Sequence, residues 1–358
     1  MEVWQKVFLS DADFIQSTHG QLGCVFCHGG NNQAEVKELA HTGLIADSSE
    51  SICDSCHQDV AHANENNLHS TLGGFIANTE ARGGNLNEGS LLSTAFENHC
   101  QDCHTTCGQC HVSRPNALGG GLVSGHEFRK TPSTQNNCVA CHGSRVGAEY
   151  FGENEGVSAD LHWVKANMTC TRCHGQELHG SDQSTETRYL NPDLVRCEDC
   201  HQDVVSSIDN NIQHQQHLGD LHCQACHSLP YKNCYGCHVA IDEEDLPYRT
   251  SEPSKIGFKI GYNPLQSKER PYQYAVLRHI PISSDTYRYY GADLLPGFDD
   301  LPTWKYASPH NIQLNTPQNE NCNSCHGNRD IFLTEDDTDQ AEWEANQGVT
   351  VDKIPELR

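Results

Sequence analysis

Apolar positions are thinly and irregularly spread along the 358 residues, and no run of them approaches the roughly 18 needed to cross a membrane as a helix. Mean hydropathy is −0.64. Short helices are predicted only around a recurrent cysteine motif, as at Glu50 to Val60, while Gly-Asn-rich stretches such as Gly83 to Gly89 read as loop. Successive motifs mostly begin 26 to 32 residues apart, which leaves little room for layered secondary structure. The predicted fold is irregular and loop-dominated, with short α-helices at the motifs and few β-strands. So much loop in a compact domain argues against a conventional side-chain core.

Two stretches break this pattern. Residues 239–321 contain no cysteine but nine of the 14 prolines and eight of the 12 tyrosines. Proline at that density blocks long helices, so a small wrapping or strand-rich insert is expected there. It could cover the interior, bind a partner subunit or line a substrate site. Residues 330–344 carry seven acidic side chains and no basic one, so 331–358 reads as an acidic, solvated C-terminal tail with Trp343 as its anchor.

Composition sharpens the problem of the interior. Counting glycine and omitting tyrosine, about 41% of residues are apolar, against about 45–50% in ordinary globular domains. Twenty of them are cysteine. A net charge of −25 and a pI near 5.2 make nucleic acid a poor partner, because phosphates would repel the chain.

All 20 cysteines fall into ten C-x-x-C pairs, each followed directly by histidine. The pairs are Cys24 and Cys27, Cys53 and Cys56, Cys100 and Cys103, Cys107 and Cys110, and Cys138 and Cys141. The second five are Cys170 and Cys173, Cys197 and Cys200, Cys223 and Cys226, Cys234 and Cys237, and Cys322 and Cys325. The histidines that follow are His28, His57, His104, His111, His142, His174, His201, His227, His238 and His326. C-x-x-C-H is the attachment signature of c-type haem. Two thiols at that spacing reach the two vinyl groups of one haem edge, and the next imidazole swings under the ring to bind iron. Zinc ribbons and disulfide frameworks also use paired cysteines but need no histidine in the next position. Ten such coincidences have a probability on the order of 10⁻¹², which removes both alternatives. A thioredoxin-type redox site would use one motif, not ten. From Cys24 to His326 the chain resembles the multihaem c-type cytochromes. The resemblance implies ten covalently attached c haems with their iron, and a core packed with porphyrin.

Thirteen histidines remain for the other face of the irons, whereas Met1 and Met168 are the only thioether donors. Bis-histidine ligation is therefore expected, with lower reduction potentials than Met/His ligation. Motif contexts recur in order along the chain. The second and seventh motifs continue C-H-Q-D-V, the fourth and ninth continue C-H-V, and the fifth and tenth share N-C-x-x-C-H-G-x-R. This pattern divides the chain into two pentahaem halves, 1–150 and 151–330, the second carrying the 239–321 insert. Such repeats stack on one another when a single unit cannot bury its own apolar face. The same correspondence pairs spare histidines: His126 with His310, His19 with His162, His41 with His179, and His69 with His214. With His217 and His279 these make ten expected distal ligands. His62, His99 and His222 are held in reserve, the last two because they directly precede their own motifs. Which histidine serves which iron is open.

Ten closely spaced haems with filled coordination make an electron conduit, since a six-coordinate iron has no vacancy for substrate. Three functions follow from the resemblance. One is an extracytoplasmic carrier passing electrons between redox proteins or towards extracellular acceptors, either as a single particle or as a homopolymer of the nanowire kind. In some such filaments a histidine near one terminus ligates a haem of the next subunit, and His19 and His279 are the candidates. Another is an oxidoreductase for small nitrogen or sulfur compounds with one open haem; no motif here carries the lysine that sometimes marks one. The third is an electron-transfer subunit of a membrane-associated complex. Covalent haem attachment occurs outside the cytoplasm, so a periplasmic or extracellular location is expected. Met1 to Phe14 lacks the apolar region of a signal peptide, so either the leader has been removed or the sequence starts after it.

Overall fold

The structure, a computed structural model, describes residues 2–9, 12–45, 47–180, 195–206 and 210–357. Met1, weighed above as a thioether donor, lies outside them. Helices are short, as expected: one of the longest, Leu91–His99, has nine residues. The helix expected over Glu50 to Val60 is broken into Ser49–Ile52, a 3-10 turn Cys53–Ser55, and Gln58–Glu65. The motif at Cys53 occupies the break.

Contacts divide the chain into two units built from separated segments. Unit 1 is Met1–Gly74, Cys100–Gly143 and Thr169–Asp193; unit 2 is Phe75–His99, Ser144–Met168 and Leu194–Arg358. Unit 1 carries the first six motifs and unit 2 the last four, so this division runs differently from the repeat boundary near residue 150.

Unit 2 holds the β structure and the side-chain core. Its strands are β1 (Tyr231–Asn233), β2 (His238–Ile241), β3 (Pro247–Thr250), β4 (Lys255–Gly257), β5 (Ile260–Tyr262), β6 (Tyr274–His279) and β7 (Trp304–Tyr306). All pairings are antiparallel: β1 with β4, β2 with β3, and β6 between β5 and β7. The 239–321 insert is thus strand-rich. Ala275, Val276 and Leu277 of β6 are all fully buried, so this central strand is covered on both faces. Val276 packs with Ala225, Tyr231, Ile260, Phe332 and Val351, and Leu277 packs with Trp304, Leu333 and Val349. A third cluster joins Leu92 and Ala95 to Val239, Tyr287, Leu295 and Phe298.

The solvated tail expected over 331–358 is corrected by the structure. Leu333 is fully buried, Val349 is 1% exposed and Val351 5%, whereas Trp343, the expected anchor, is 40% exposed. The acidic run is a surface strip between buried apolar positions, which charge counting alone does not detect.

Unit 1 is built differently. Among its described residues Leu72 and Pro115 are the only buried apolar side chains, while Ile15, Leu22, Phe26, Val36, Leu39 and Leu44 are exposed. The unit richest in motifs therefore has almost no apolar interior of its own, the condition that porphyrins at its six motifs would relieve.

Candidate haem sites

The motifs fold as single tight turns. Cys24–His28, Cys107–His111 and Cys223–His227 are one-turn helices. At four others the histidine amide donates back to the first cysteine carbonyl: His57 to Cys53 (2.8 Å), His174 to Cys170 (2.8 Å), His201 to Cys197 (2.9 Å) and His326 to Cys322 (2.9 Å). Residues three and four apart on a helical turn share a face, so both thiols and the imidazole point the same way. The ninth motif differs, because His238 is the first residue of β2. No cysteine is paired in a disulfide, so both thiols of every motif remain for thioether attachment.

Seven motif histidines face a second imidazole at nearly constant separation. The ring centroids are 5.9 Å apart for His28 and His126, 6.2 Å for His57 and His19, 6.0 Å for His111 and His179, and 6.2 Å for His142 and His69. They are 6.1 Å apart for His201 and His162, 6.2 Å for His227 and His214, and 6.0 Å for His326 and His217. Rings in face contact sit closer, as His19 does to Phe128 at 4.0 Å. Two imidazoles binding one metal ion from opposite sides, at metal–nitrogen bonds of about 2 Å, have ring centres about 6 Å apart. Among the described residues no cluster of three or more His, Cys, Asp or Glu could hold a bare ion. Imidazoles in twos are what an iron already held by four porphyrin nitrogens leaves room for. These residues fit haem c, which supplies reversible one-electron iron chemistry when bound.

The ring orientations fit as well. Nδ1 faces a backbone carbonyl in His111 (Arg129, 2.6 Å), His227 (Gln313, 3.1 Å), His217 (Gln213, 2.8 Å) and His28 (Ile45, 3.4 Å). In His69 it meets Asn67 Oδ1 at 3.1 Å, and in His162 Asp160 Oδ1 at 2.8 Å. An occupied Nδ1 fixes the tautomer and leaves Nε2 for metal. Burial, with smaller contributions from His142 and His174, pushes His69 down to about 4, which keeps its imidazole neutral as a ligand must be.

Cysteines of different motifs also meet. Thiol hydrogen bonding to Cys107 pushes Cys53 well up, and Cys103 does the same to Cys141, Cys170 to Cys138 and Cys197 to Cys223. Cys27 acts electrostatically on Cys53, and Cys110 on Cys138. Burial, then Cys226, raises Cys325 to about 12. Because a thioether would lie on the porphyrin edge, each contact would bring two haem edges together. Within unit 1 they link the first, second, fourth, fifth and sixth motifs, with the third beside the fifth. Within unit 2 they link the seventh, eighth and tenth.

Three expected ligands remain. His41 is exposed at the end of the helix Lys37–Ala40. His279 is buried with Nδ1 facing the Ile280 carbonyl at 2.6 Å and Nε2 facing Glu342 at 3.3 Å, so both nitrogens are engaged. The His310 amide donates to Glu149 at 2.9 Å. Of the reserves, His62 is exposed beside Glu65, His99 Nε2 meets the Tyr290 hydroxyl at 2.8 Å, and His222 meets that of Tyr306 at 3.0 Å. Among the described residues of their own units, no imidazole faces His104 or His238. The sequence match of His69 with His214 does not carry over to the geometry. His69 faces the fifth motif and His217 the tenth, so His217 is its counterpart, while His214 faces the eighth. Position between the second and third motifs of each half is the shared signal.

No family model and no solved structure matches the chain. Two relatives do. One is "Probable fumarate reductase Ifc3" of Shewanella frigidimarina, 26% identical over 103 residues, which are 27% of this chain and 16% of that protein. The other is "Multiheme cytochrome MtrA" of Shewanella baltica, 25% identical over 257 residues, 60% of this chain and 69% of that protein. The motifs, the paired imidazoles and these relatives support a multihaem c-type cytochrome, with covalently bound haem and a role in electron transfer.

Proposed function

We propose that the chain is a decahaem, bis-histidine electron conduit, made of two pentahaem halves. It works outside the cytoplasm and passes electrons between redox proteins towards extracellular acceptors. The observation that carries this reading is the set of seven imidazole pairs, each of which would close both faces of a bound haem iron against substrate. Cysteine contacts between motifs support a path among the first six motifs within unit 1, and among the seventh, eighth and tenth within unit 2. Two propionates on each haem add to the −25 formal charge, so soluble partners would present a basic face. No helix among the described residues is long and apolar enough to cross a membrane. Near-infrared and electron paramagnetic resonance spectra of the oxidised protein should show bis-imidazole low-spin iron at the seven paired sites. A mainly high-spin population would overturn the reading.

A second reading is an oxidoreductase for small nitrogen or sulfur compounds, with one open haem. It is favoured by His104 and His238, which have no facing imidazole among the described residues of their own units. The activity named for the Shewanella frigidimarina protein is not transferred, because the match spans 16% of its length. Stoichiometric carbon monoxide binding to the reduced protein, with turnover of a small oxyanion, would favour this enzyme. Inertness to carbon monoxide favours the conduit.

A further inference from the structure

The two halves repeat their ligation as well as their motifs. His19 before the first motif faces His57 of the second, and His162 before the sixth faces His201 of the seventh. His69 faces the fifth motif and His217 the tenth. Cys103 acts on Cys141, and its counterpart Cys226 acts on Cys325.

One set of contacts joins the first half to the start of the second. All of it lies within unit 1. His179, between the sixth and seventh motifs, faces His111 of the fourth at 6.0 Å. Cys170 of the sixth motif hydrogen-bonds Cys138 of the fifth. Moved forward by one repeat, this junction needs a histidine facing His238 and a first-motif cysteine beside Cys322. The first half of another copy has both. His41 occupies the same inter-motif gap as His179, and Cys24 is the counterpart of Cys170.

We infer that a second copy of this chain completes the ninth haem site, His41 of one copy ligating the iron held by His238 of the next. The inference rests on the multihaem conduit reading. Each half of the junction is available in the structure. Cys24, Cys322 and His41 are exposed. Nδ1 of His238 faces the Asp285 carbonyl at 3.4 Å, leaving Nε2 for iron. His41 is flanked by exposed apolar side chains: Val36 is 52% exposed, Leu39 60%, Leu44 56% and Ile45 38%. Apolar patches of this kind mark interaction surfaces. The two terminal donors expected from the sequence are otherwise engaged, His19 with His57 and His279 with Glu342. Because donor and acceptor faces differ, the contact does not close on itself, and copies add head to tail.

The test compares the haem-loaded chain with its His41→Ala variant by sedimentation, negative-stain imaging and electron paramagnetic resonance. The wild type should form linear assemblies that lengthen with concentration. The variant should stop at single particles, keep its full haem complement, and convert one iron in ten from low to high spin. Added imidazole should return that iron to low spin without restoring assembly, which separates a missing ligand from misfolding. A wild type that stays monomeric at high concentration overturns the inference. So does a variant whose spin count is unchanged. If the monomer still carries ten haems that reduce reversibly, the conduit reading stands and only this inference falls.

Discussion

At the residue scale, the decisive property of each distal histidine is its facing partner. His69→Ala should leave the haem count unchanged, add one high-spin iron and create one carbon monoxide site at the fifth motif. His214→Ala should do the same at the eighth, so the two variants should be spectroscopically additive. His69→Met should keep six-coordination but raise one reduction potential, because a thioether stabilises the reduced iron relative to imidazole. A potentiometric titration with one component moved upward checks this. The tight turns at the motifs were legible in the sequence, because C-x-x-C-H keeps both thiols and the imidazole within five consecutive residues. The distal partners were legible only as a pool. His69 and His217 come to equivalent positions although His214 is the nearer match by spacing, since facing depends on where each chain segment returns in space. His279 illustrates the other failure: it has the right residue type, yet its Nε2 is held by a buried carboxylate 63 positions away.

At the element scale, two small features hold ligands and core in place. Asn67 caps the helix Leu68–Thr71, its Oδ1 accepting from the His69 amide at 2.7 Å, and its side-chain amide donates to the Leu178 carbonyl. Asn67→Ala should cost about 1 kcal/mol as a lost cap and also loosen the orientation of His69. Partial high-spin character at the fifth motif without haem loss would confirm the second effect. In unit 2 the fully buried Asn346 accepts the amides of Thr303 and Trp304, each at 3.1 Å, while its side chain donates to Thr303 Oγ1 and the Glu342 carbonyl. Asn346→Ala should destabilise unit 2 by about 2–4 kcal/mol, measured by denaturant unfolding, because several buried polar groups lose partners at once. Glu342 adds a pH dependence. Although burial works against it, hydrogen bonds from His279 and Thr303 hold its carboxyl below the ordinary range. Its folded value is therefore depressed, so its stabilisation is present above the ordinary carboxyl range and is lost as pH falls through the lowered folded value. Thermal melts between neutral and acid pH should show this loss, and Glu342→Gln should flatten it. The strand-rich insert was legible from its proline and tyrosine content. The packed tail was not, because Leu333, Val349 and Val351 are isolated apolar positions that only the three-stranded sheet makes into a core.

At the scale of the whole molecule, side-chain core and haem motifs are distributed inversely. Unit 2 carries four motifs and all three apolar clusters, while unit 1 carries six motifs and only two buried apolar residues, Leu72 and Pro115, among those described. Unit 1 should therefore depend more on its cofactors for folding, since a few exposed aliphatic side chains cannot offset the entropy of ordering the chain without an apolar surface to cover. Expressed without the haem-attachment machinery, the chain should lose unit 1 protection from proteolysis first while the 231–351 region persists. On the proposed conduit reading, the acidic charge and the exposed apolar stretch around His41 belong to one surface that would meet other redox centres. The most direct test of the central claim is the haem stoichiometry from pyridine haemochrome absorbance combined with intact mass. The account predicts ten covalently bound haems per chain, one at each motif; a count well below ten, or haem removable by acid extraction, would contradict it.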